Sequence, residues 1–244
     1  MDKQRIQARF GQAAHEYDDY AHIQKTAAQH LAERIHARWP ELQRVLELGC
    51  GTGNLTHRLL RAYPGAQLHA TDLAPDMLQA CQAACSADQL ARTQFSTLDA
   101  ETANAHGYDL VTSSLAFQWL DKPLAVCSRL HSQGARLAIA TLIDGTFAEW
   151  KAAHQALGLS DGVLPFLGEG CLQRWAHKHG ATLHIETLTE SYPQALDFVR
   201  AIKHIGAHTP REGHRPAPLA KVLRQFPHGI TVSYRVAYLL VESV

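Results

Sequence analysis

Neither sign of charge dominates this chain: 23 lysines and arginines stand against 23 aspartates and glutamates, a formal charge of zero. That balance removes the bulk attraction by which nucleic-acid-binding proteins hold phosphates, local patches excepted. No run reaches the roughly 18 apolar residues that a membrane helix needs. The opening MDKQRIQARF is charged and has no apolar centre, which argues against a signal peptide and for the cytoplasm. Cysteine is scarce and odd in number. Cys50, Cys81, Cys85, Cys127 and Cys171 include no CxxC pair, so free thiols are expected rather than a disulfide framework. Histidine is the one surplus, with 16, and His204, His208 and His214 lie close together, as do His177 and His179. Without HExxH or a cysteine companion they read as solvated side chains, and no metal is expected.

What remains is a composition ordinary for a globular protein, with 46% hydrophobic residues in 244. That length suits a single α/β domain carrying an insertion. Residues 3 to 38 show apolar positions at helical spacing, interrupted near Gly11 and around Tyr17 to Tyr20, and predict two helices before the core. RVLELGCGTGNLTHRLLRAYPG reads as strand, glycine turn and helix; AQLHATDL is a second strand and APDMLQACQAAC a helix. TQFSTLDA, YDLVTSSLAFQW and ARLAIATLIDG continue as strands three to five, with a helix from Pro123 between the last two. Strands alternating with helices imply parallel βαβ units. Beyond Gly145 the beat breaks: residues 146 to 180 read as mainly helical, ATLHIETLTESY as a sixth strand and ITVSYRVAYLLVES as a closing one. Residues 193 to 228 between them read as a helical insertion. The fold expected is a Rossmann-like seven-stranded mixed sheet whose last strand is antiparallel. Its parts are N-terminal lid helices (1–38), a nucleotide-binding half (43–145) and the inserted lid (193–228).

The chemistry begins at ELGCGTG. Gly49, Gly51 and Gly53 let the backbone approach a ligand, and the helix that follows turns its free N–H groups to the same place. A dinucleotide loop would run GxGxxG; here the third glycine comes one residue early, after an acidic Glu47. That spacing resembles motif I of class I methyltransferases, whose methyl donor is S-adenosylmethionine (SAM), leaving S-adenosylhomocysteine (SAH). Glu47 and the loop, Cys50 included, would then meet the amino-acid end of SAM. Asp72 closes the second strand and would accept from both ribose hydroxyls, with Leu73 beside it. Met77 would pack on adenine, Asp99 and Ala100 would sit at its amino group, and Ser114 would join the lining.

The acceptor is read from what is missing. After the fourth strand there is no (N/D)PPY run of the amino-methylating kind, no catechol-type metal carboxylate set and no standout nucleophilic cysteine. A carboxylate needs no base, being ionised well below pH 7. Alignment and exclusion of water are then the protein's main contributions. Trp119 suits an apolar wall for that purpose, and Phe117 suits wall and core equally.

DKQRIQARFGQAAHEYDDYAHIQ, VLELGCGTGNLT, TDLAPDML, YDLVTSSLAFQWL, ATLIDGTFAEW and RAIKHIGAHTPREGHR, taken in this order, resemble the malonyl-[acyl-carrier protein] O-methyltransferases of biotin synthesis nearly end to end. The link from Leu157 to Gly170 offers no matching positions. The resemblance implies methyl transfer from SAM to the free carboxylate of a malonyl thioester, with Tyr17 over donor and acceptor and with Gln118 and Trp119 at the acceptor. It implies as partner a malonyl-bearing acyl-carrier protein, or malonyl-CoA, with no nucleic acid and no membrane. The carrier is acidic, and Arg200, Lys203, Arg211 and Arg215, with Lys221 and Arg224, gather basic charge in the insertion where it would dock. Two rivals stay open: a methyltransferase for a small free polycarboxylate of the trans-aconitate kind, and a SAM-binding protein without catalysis.

Overall fold

A computed structural model describes residues 2–208 and 217–244. Three helices precede the sheet: α1 (Lys3–Ala13), α2 (Tyr17–Tyr20) and α3 (His22–Arg38). The expected break at Gly11 is absent, because α1 runs straight through it. A Cβ there would lie 2.5 Å from Asp76 Oδ2, so the glycine permits a close crossing of two helices. The core then alternates as β1 (Arg44–Leu48), α4 (Thr56–Ala62), β2 (Gln67–Asp72), α5 (Pro75–Ala83), α6 (Ala87–Ala91), β3 (Thr93–Thr97), β4 (Leu110–Ser114), α7 (Pro123–Ser132) and β5 (Arg136–Leu142). Proline in the first turn opens α5 and α7, and a capping box of Ser86 and Gln89 opens α6. The chain continues through α8 (Ala148–Ala156), α9 (Glu169–His179), β6 (Thr182–Tyr192), α10 (Ala195–His204), α11 (Leu219–Leu223) and β7 (Ile230–Val241).

The strands form one seven-stranded sheet in the order β3-β2-β1-β4-β5-β7-β6. β1 to β5 pair in parallel and β7 runs antiparallel between β5 and β6, as expected. The central strands β1, β4 and β5 are apolar and buried almost throughout, because helices cover both sheet faces. On one face Leu31 and Ile35 of α3 and Leu59 of α4 share a core with Val236 and Tyr238; on the other, Leu130 of α7 and Trp175 of α9 pack with Val111 and Leu137. Phe117 is 1% exposed within that second core, which makes it a packing residue and not an acceptor wall.

Two expected elements are shorter than the pattern suggested. The fourth strand stops at Ser114, since Leu115 takes a left-handed φ of 51° and throws the chain into a 3-10 turn over Phe117–Trp119. Residues 146 to 180 hold two helices separated by an irregular stretch, 157–168. The strand order reverses between β1 and β4, and in open α/β sheets the crevice beyond the strand C-termini at such a reversal is the place for a ligand.

Candidate active site

Backbone geometry builds the floor of that crevice. The amides of Gly49 and Cys50 both donate to the carbonyl of Thr71 at 2.8 Å, which fastens the loop after β1 to the end of β2. Asp72 fastens it again: Oδ2 accepts from the Gly51 amide and Oδ1 from the Ala74 amide, each at 2.9 Å. Each carboxylate oxygen keeps a further lone pair for a ligand. Gly51 has a φ of 56° and an added Cβ would meet nothing within 4 Å, so its bare backbone borders open space. Gly49, at φ 73°, needs to be glycine for another reason: a Cβ would lie 2.4 Å from that of Ala116. Gly53 does not border the cavity, and the space its side chain would take is filled by His57 Nε2 and Cys81 Sγ, 2.6 and 2.8 Å from an added Cβ.

The resulting cavity, of about 130 Å³, is lined by Glu47, Cys50, Asp72, Leu73, Met77, Asp99, Ala100 and Ser114, with Lys3 closing it from α1. Glu47 is 1% exposed, and its Oε2 accepts from Thr56 Oγ1 at 2.7 Å. Burial pushes its carboxyl up to about 7, and the nearby charge of Asp72 adds to the rise. Burial raises Asp72 as well, against the pull of its backbone donors. Asp99 Oδ2 is paired with Lys3 Nζ at 2.6 Å, which also reaches Glu101 at 2.5 Å.

A second cavity, of about 230 Å³, adjoins the first. Phe10, Tyr17, Gln24, Leu115 and Trp119 line both, so these five form the boundary. The second space is walled mostly by apolar and aromatic groups, among them Leu142, Phe147, Trp150, Phe166, Phe198 and Tyr234. Phe147 carries the other left-handed non-glycine backbone of the described residues, φ 60°. Among the described lining residues no lysine or arginine occurs; the polar ones include Gln118, Asp161 and His208. The roof is clasped from two sides. Glu16 accepts from His204 Nδ1 at 2.7 Å, Tyr20 stacks on the same ring at 4.3 Å, and Arg9 donates to the carbonyl of His208. Gly206, at φ 72°, lets the turn after α10 approach the backbone of α1, since a Cβ would sit 2.8 Å from the Arg9 carbonyl oxygen.

Comparison with known proteins fits this geometry. Residues 46–133 match the family model described as a methyltransferase domain. The chain is 40% identical over 243 residues to the biotin biosynthesis bifunctional protein BioCD of Bordetella avium, covering 96% of this chain but 51% of that protein. It therefore spans about half the length of that relative. It is also 36% identical over 246 residues to the malonyl-[acyl-carrier protein] O-methyltransferase of Magnetococcus marinus, covering 96% of this chain and 90% of the other. The chain belongs to the malonyl-[acyl-carrier protein] O-methyltransferase family. Its fold is that of class I methyltransferases. Magnesium protoporphyrin IX methyltransferase from Synechocystis, solved with bound SAH, superposes with a TM-score of 0.56 at 17% identity over 90% of this chain and 83% of that one.

For this methyltransferase family member the expected residues divide cleanly. Tyr17, Glu47, Gly49, Cys50, Gly51, Asp72, Leu73, Met77, Asp99, Ala100, Ser114 and Trp119 all border the first cavity. Gln118 borders the second alone, and its amide is engaged, donating to the Leu115 carbonyl at 2.5 Å and accepting from Thr141 Oγ1 at 3.3 Å. Arg200 and Lys203 lie exposed on α10, whereas Arg211 and Arg215 fall outside the described residues. Sequence reasoning missed Lys3, Phe10 and Gln24 in the roof, and Asp161 to Phe166 in the second wall. Gln24 ends the N-terminal segment that carries the family resemblance but was not singled out within it, and the irregular stretch has no periodicity to read. No helix of the described residues is long and apolar enough to cross a membrane.

Proposed function

We propose that this protein transfers a methyl group from SAM to the free carboxylate of a malonyl thioester carried on acyl-carrier protein, in the pathway to biotin. The observation that carries the reading is the pair of abutting cavities. One is built on a glycine loop and strand-end carboxylates; the other is apolar, aromatic and free of lysine and arginine among its described lining residues. An aromatic tunnel of that kind suits a thioester and its linker arm better than a free tricarboxylate, which disfavours the trans-aconitate alternative.

The first cavity fits the donor. Asp72 has acceptor capacity for ribose hydroxyls, Glu47 is a buried carboxylate with one side-chain hydrogen bond for an ammonium to join, and Met77 offers an apolar face for adenine. Asp99 shares its carboxylate with Lys3, so that salt bridge would close over the adenine edge. Bound SAM supplies an electrophilic methyl on a sulfonium, which a carboxylate oxygen takes as the C–S pair returns to sulfur, with no proton changing hands. The chain therefore supplies no base. Its residues orient the acceptor, exclude water through Phe10, Tyr17 and Trp119, and keep the two reactants in adjoining spaces. Arg200 and Lys203 would meet the acidic carrier at the roof. The five cysteines are unpaired, which suits a reducing cytoplasm.

The test is a methyl-transfer assay with malonyl-carrier protein, malonyl-CoA and free di- and tricarboxylic acids offered in parallel. Transfer to the malonyl thioesters, with free acids at background, is expected; preference for a free acid would overturn the reading.

A further inference from the structure

The junction of the two cavities is where donor and acceptor must meet, so its polar atoms decide how the acceptor is held. Of the five boundary residues, Phe10 and Leu115 have no polar side-chain atom. The other three each carry a donor: the hydroxyl of Tyr17, the carboxamide of Gln24 and the indole N–H of Trp119. None of these groups makes a hydrogen bond with another side chain or backbone group of the described residues, and none is a sealed-off orphan of the kind found at His57, His179 and His208. All three residues line both cavities, and their donors are neither sealed off nor spent on the protein. Gln118 differs from these three in spending one amide N–H on Leu115 and accepting from Thr141, and it borders the second cavity alone.

The positions of the three are set from outside the junction. Ile23, Ala27 and Leu31 bury one side of α3 in the core, which fixes the helix's rotation and turns Gln24 and Ala28, one turn apart, toward the first cavity. Trp119 is braced edge-on by Phe10, with ring centroids 5.4 Å apart at 83°. Tyr17 starts α2 and is kept protonated by burial and by the neighbouring charges of Asp72 and Asp18.

Resting on the reading above, we infer that Gln24 is a substrate-contacting residue that, with Trp119 and Tyr17, forms a cradle of neutral donors for the reacting carboxylate of the acceptor. Neutral donors suit this task. A carboxylate drawn from water into an apolar cavity needs hydrogen bonds, but an arginine or lysine there would hold the anion as an ion pair and blunt its attack. The bonds fix one oxygen's direction while leaving the charge to be cancelled in the transition state. Gln24 thus becomes a specificity determinant: it distinguishes a thioester that ends in a carboxylate from one that ends in a methyl.

The test compares malonyl-CoA with acetyl-CoA, which lacks the carboxylate, by equilibrium binding to the full protein with SAH present so that no reaction occurs. Wild type is expected to bind malonyl-CoA at least about tenfold more tightly, and Gln24→Leu to cut that preference to about threefold or less, while SAH, whose cavity Gln24 also borders, stays within a few fold. In turnover assays with SAM, Gln24→Leu should lower kcat/KM for malonyl-CoA by about tenfold, mostly through KM. The near-isosteric Gln24→Glu, which faces the anion with another, should lower it further. A wild-type melting temperature, with SAH bound within a few fold of wild type, certifies the fold of each variant. A preference for malonyl-CoA that survives Gln24→Leu would overturn this inference alone. A wild type that neither prefers malonyl-CoA nor methylates any malonyl thioester would bring down the functional reading and this inference with it.

Discussion

The floor and the roof of this site are held by different kinds of bond. Below, Gly49, Cys50, Gly51 and Asp72 come from two neighbouring strand ends and are joined through backbone amides at 2.8 to 2.9 Å. Above, Phe10 and Tyr17 sit on α1 and α2, which are tied down by side-chain pairs between segments far apart in sequence, such as Glu16 with His204 and Lys3 with Asp99, whereas Gln24 rides on α3, packed into the core. Backbone-built geometry tolerates few substitutions but resists motion. Exposed and half-exposed ion pairs contribute little to stability, so α1 and α2 can be rearranged without unfolding the sheet.

The sharpest way to break this contrast is at the loop. Gly49→Ala must find room 2.4 Å from Ala116 at a left-handed φ, and is expected to abolish SAM binding and to lower the melting temperature markedly. Gly51→Ala meets no neighbour and bears only the strain of its left-handed φ of 56°, so it should destabilise less than Gly49→Ala and still lose affinity because its methyl enters the cavity. Calorimetry and thermal melts on both variants would separate the two; equal behaviour would mean the loop is softer than its hydrogen bonds imply.

Asp72→Ala and Tyr17→Ala test floor against roof directly. If Asp72 holds the ribose as proposed, removing it would delete two charge-assisted bonds, each worth roughly 1.5–3 kcal/mol, and should weaken SAM at least about tenfold. Tyr17→Ala should leave SAM within a few fold and depress turnover more than it depresses stability. A Tyr17 variant with wild-type turnover and a loosened N-terminus would make that tyrosine merely structural.

Protonation gives a third comparison. Free glutamate titrates near 4.5, whereas burial holds Glu47 near 7, so between these values the folded protein keeps a proton the unfolded chain has lost. Stability without ligand should therefore fall as pH rises through that window, by on the order of 3 kcal/mol in full. Glu47→Gln should remove most of that slope. An ammonium placed beside Glu47 favours its ionised form, so SAM affinity should rise from pH 6 to 8 in wild type and stay flat in the variant. A flat wild type would separate Glu47 from the amino-acid end of the donor.

The smallest effect is expected at the roof's outer face. Arg200→Glu with Lys203→Glu should reduce kcat/KM for malonyl-carrier protein several-fold and spare malonyl-CoA, and added salt should imitate the double variant because screening is complete within about 8 Å at physiological ionic strength. Equal losses on both substrates would place these residues at the pocket instead.

How far the sequence could be read follows the same division. The loop, Asp72 and the succession of strands and helices were legible because each is local: glycine spacing and apolar patterning act over a few residues. Gln24 was not, since on a helix it looks like any surface glutamine until the rotation of α3 is known. Gln118, in a conspicuous motif, does border the second cavity, but its engagement with Leu115 and Thr141 follows from the left-handed turn at Leu115, which no sequence pattern announces. The stretch from Leu157 to Gly168 has neither period nor motif, yet it walls the second cavity with Val163, Leu164 and Phe166.

Phe10 and Tyr17 belong to the ceilings of both cavities, so neither space can be uncovered alone. Kinetically, the molecule has one door for two occupants. On the proposed reading, departure of SAH would require the same displacement of α1 and α2 that an acceptor-site ligand resists, and the spent donor would be the last to leave. Stopped-flow release of SAH should accordingly slow when acetyl-CoA saturates the second cavity, and an unaltered rate would mean that the two spaces open independently.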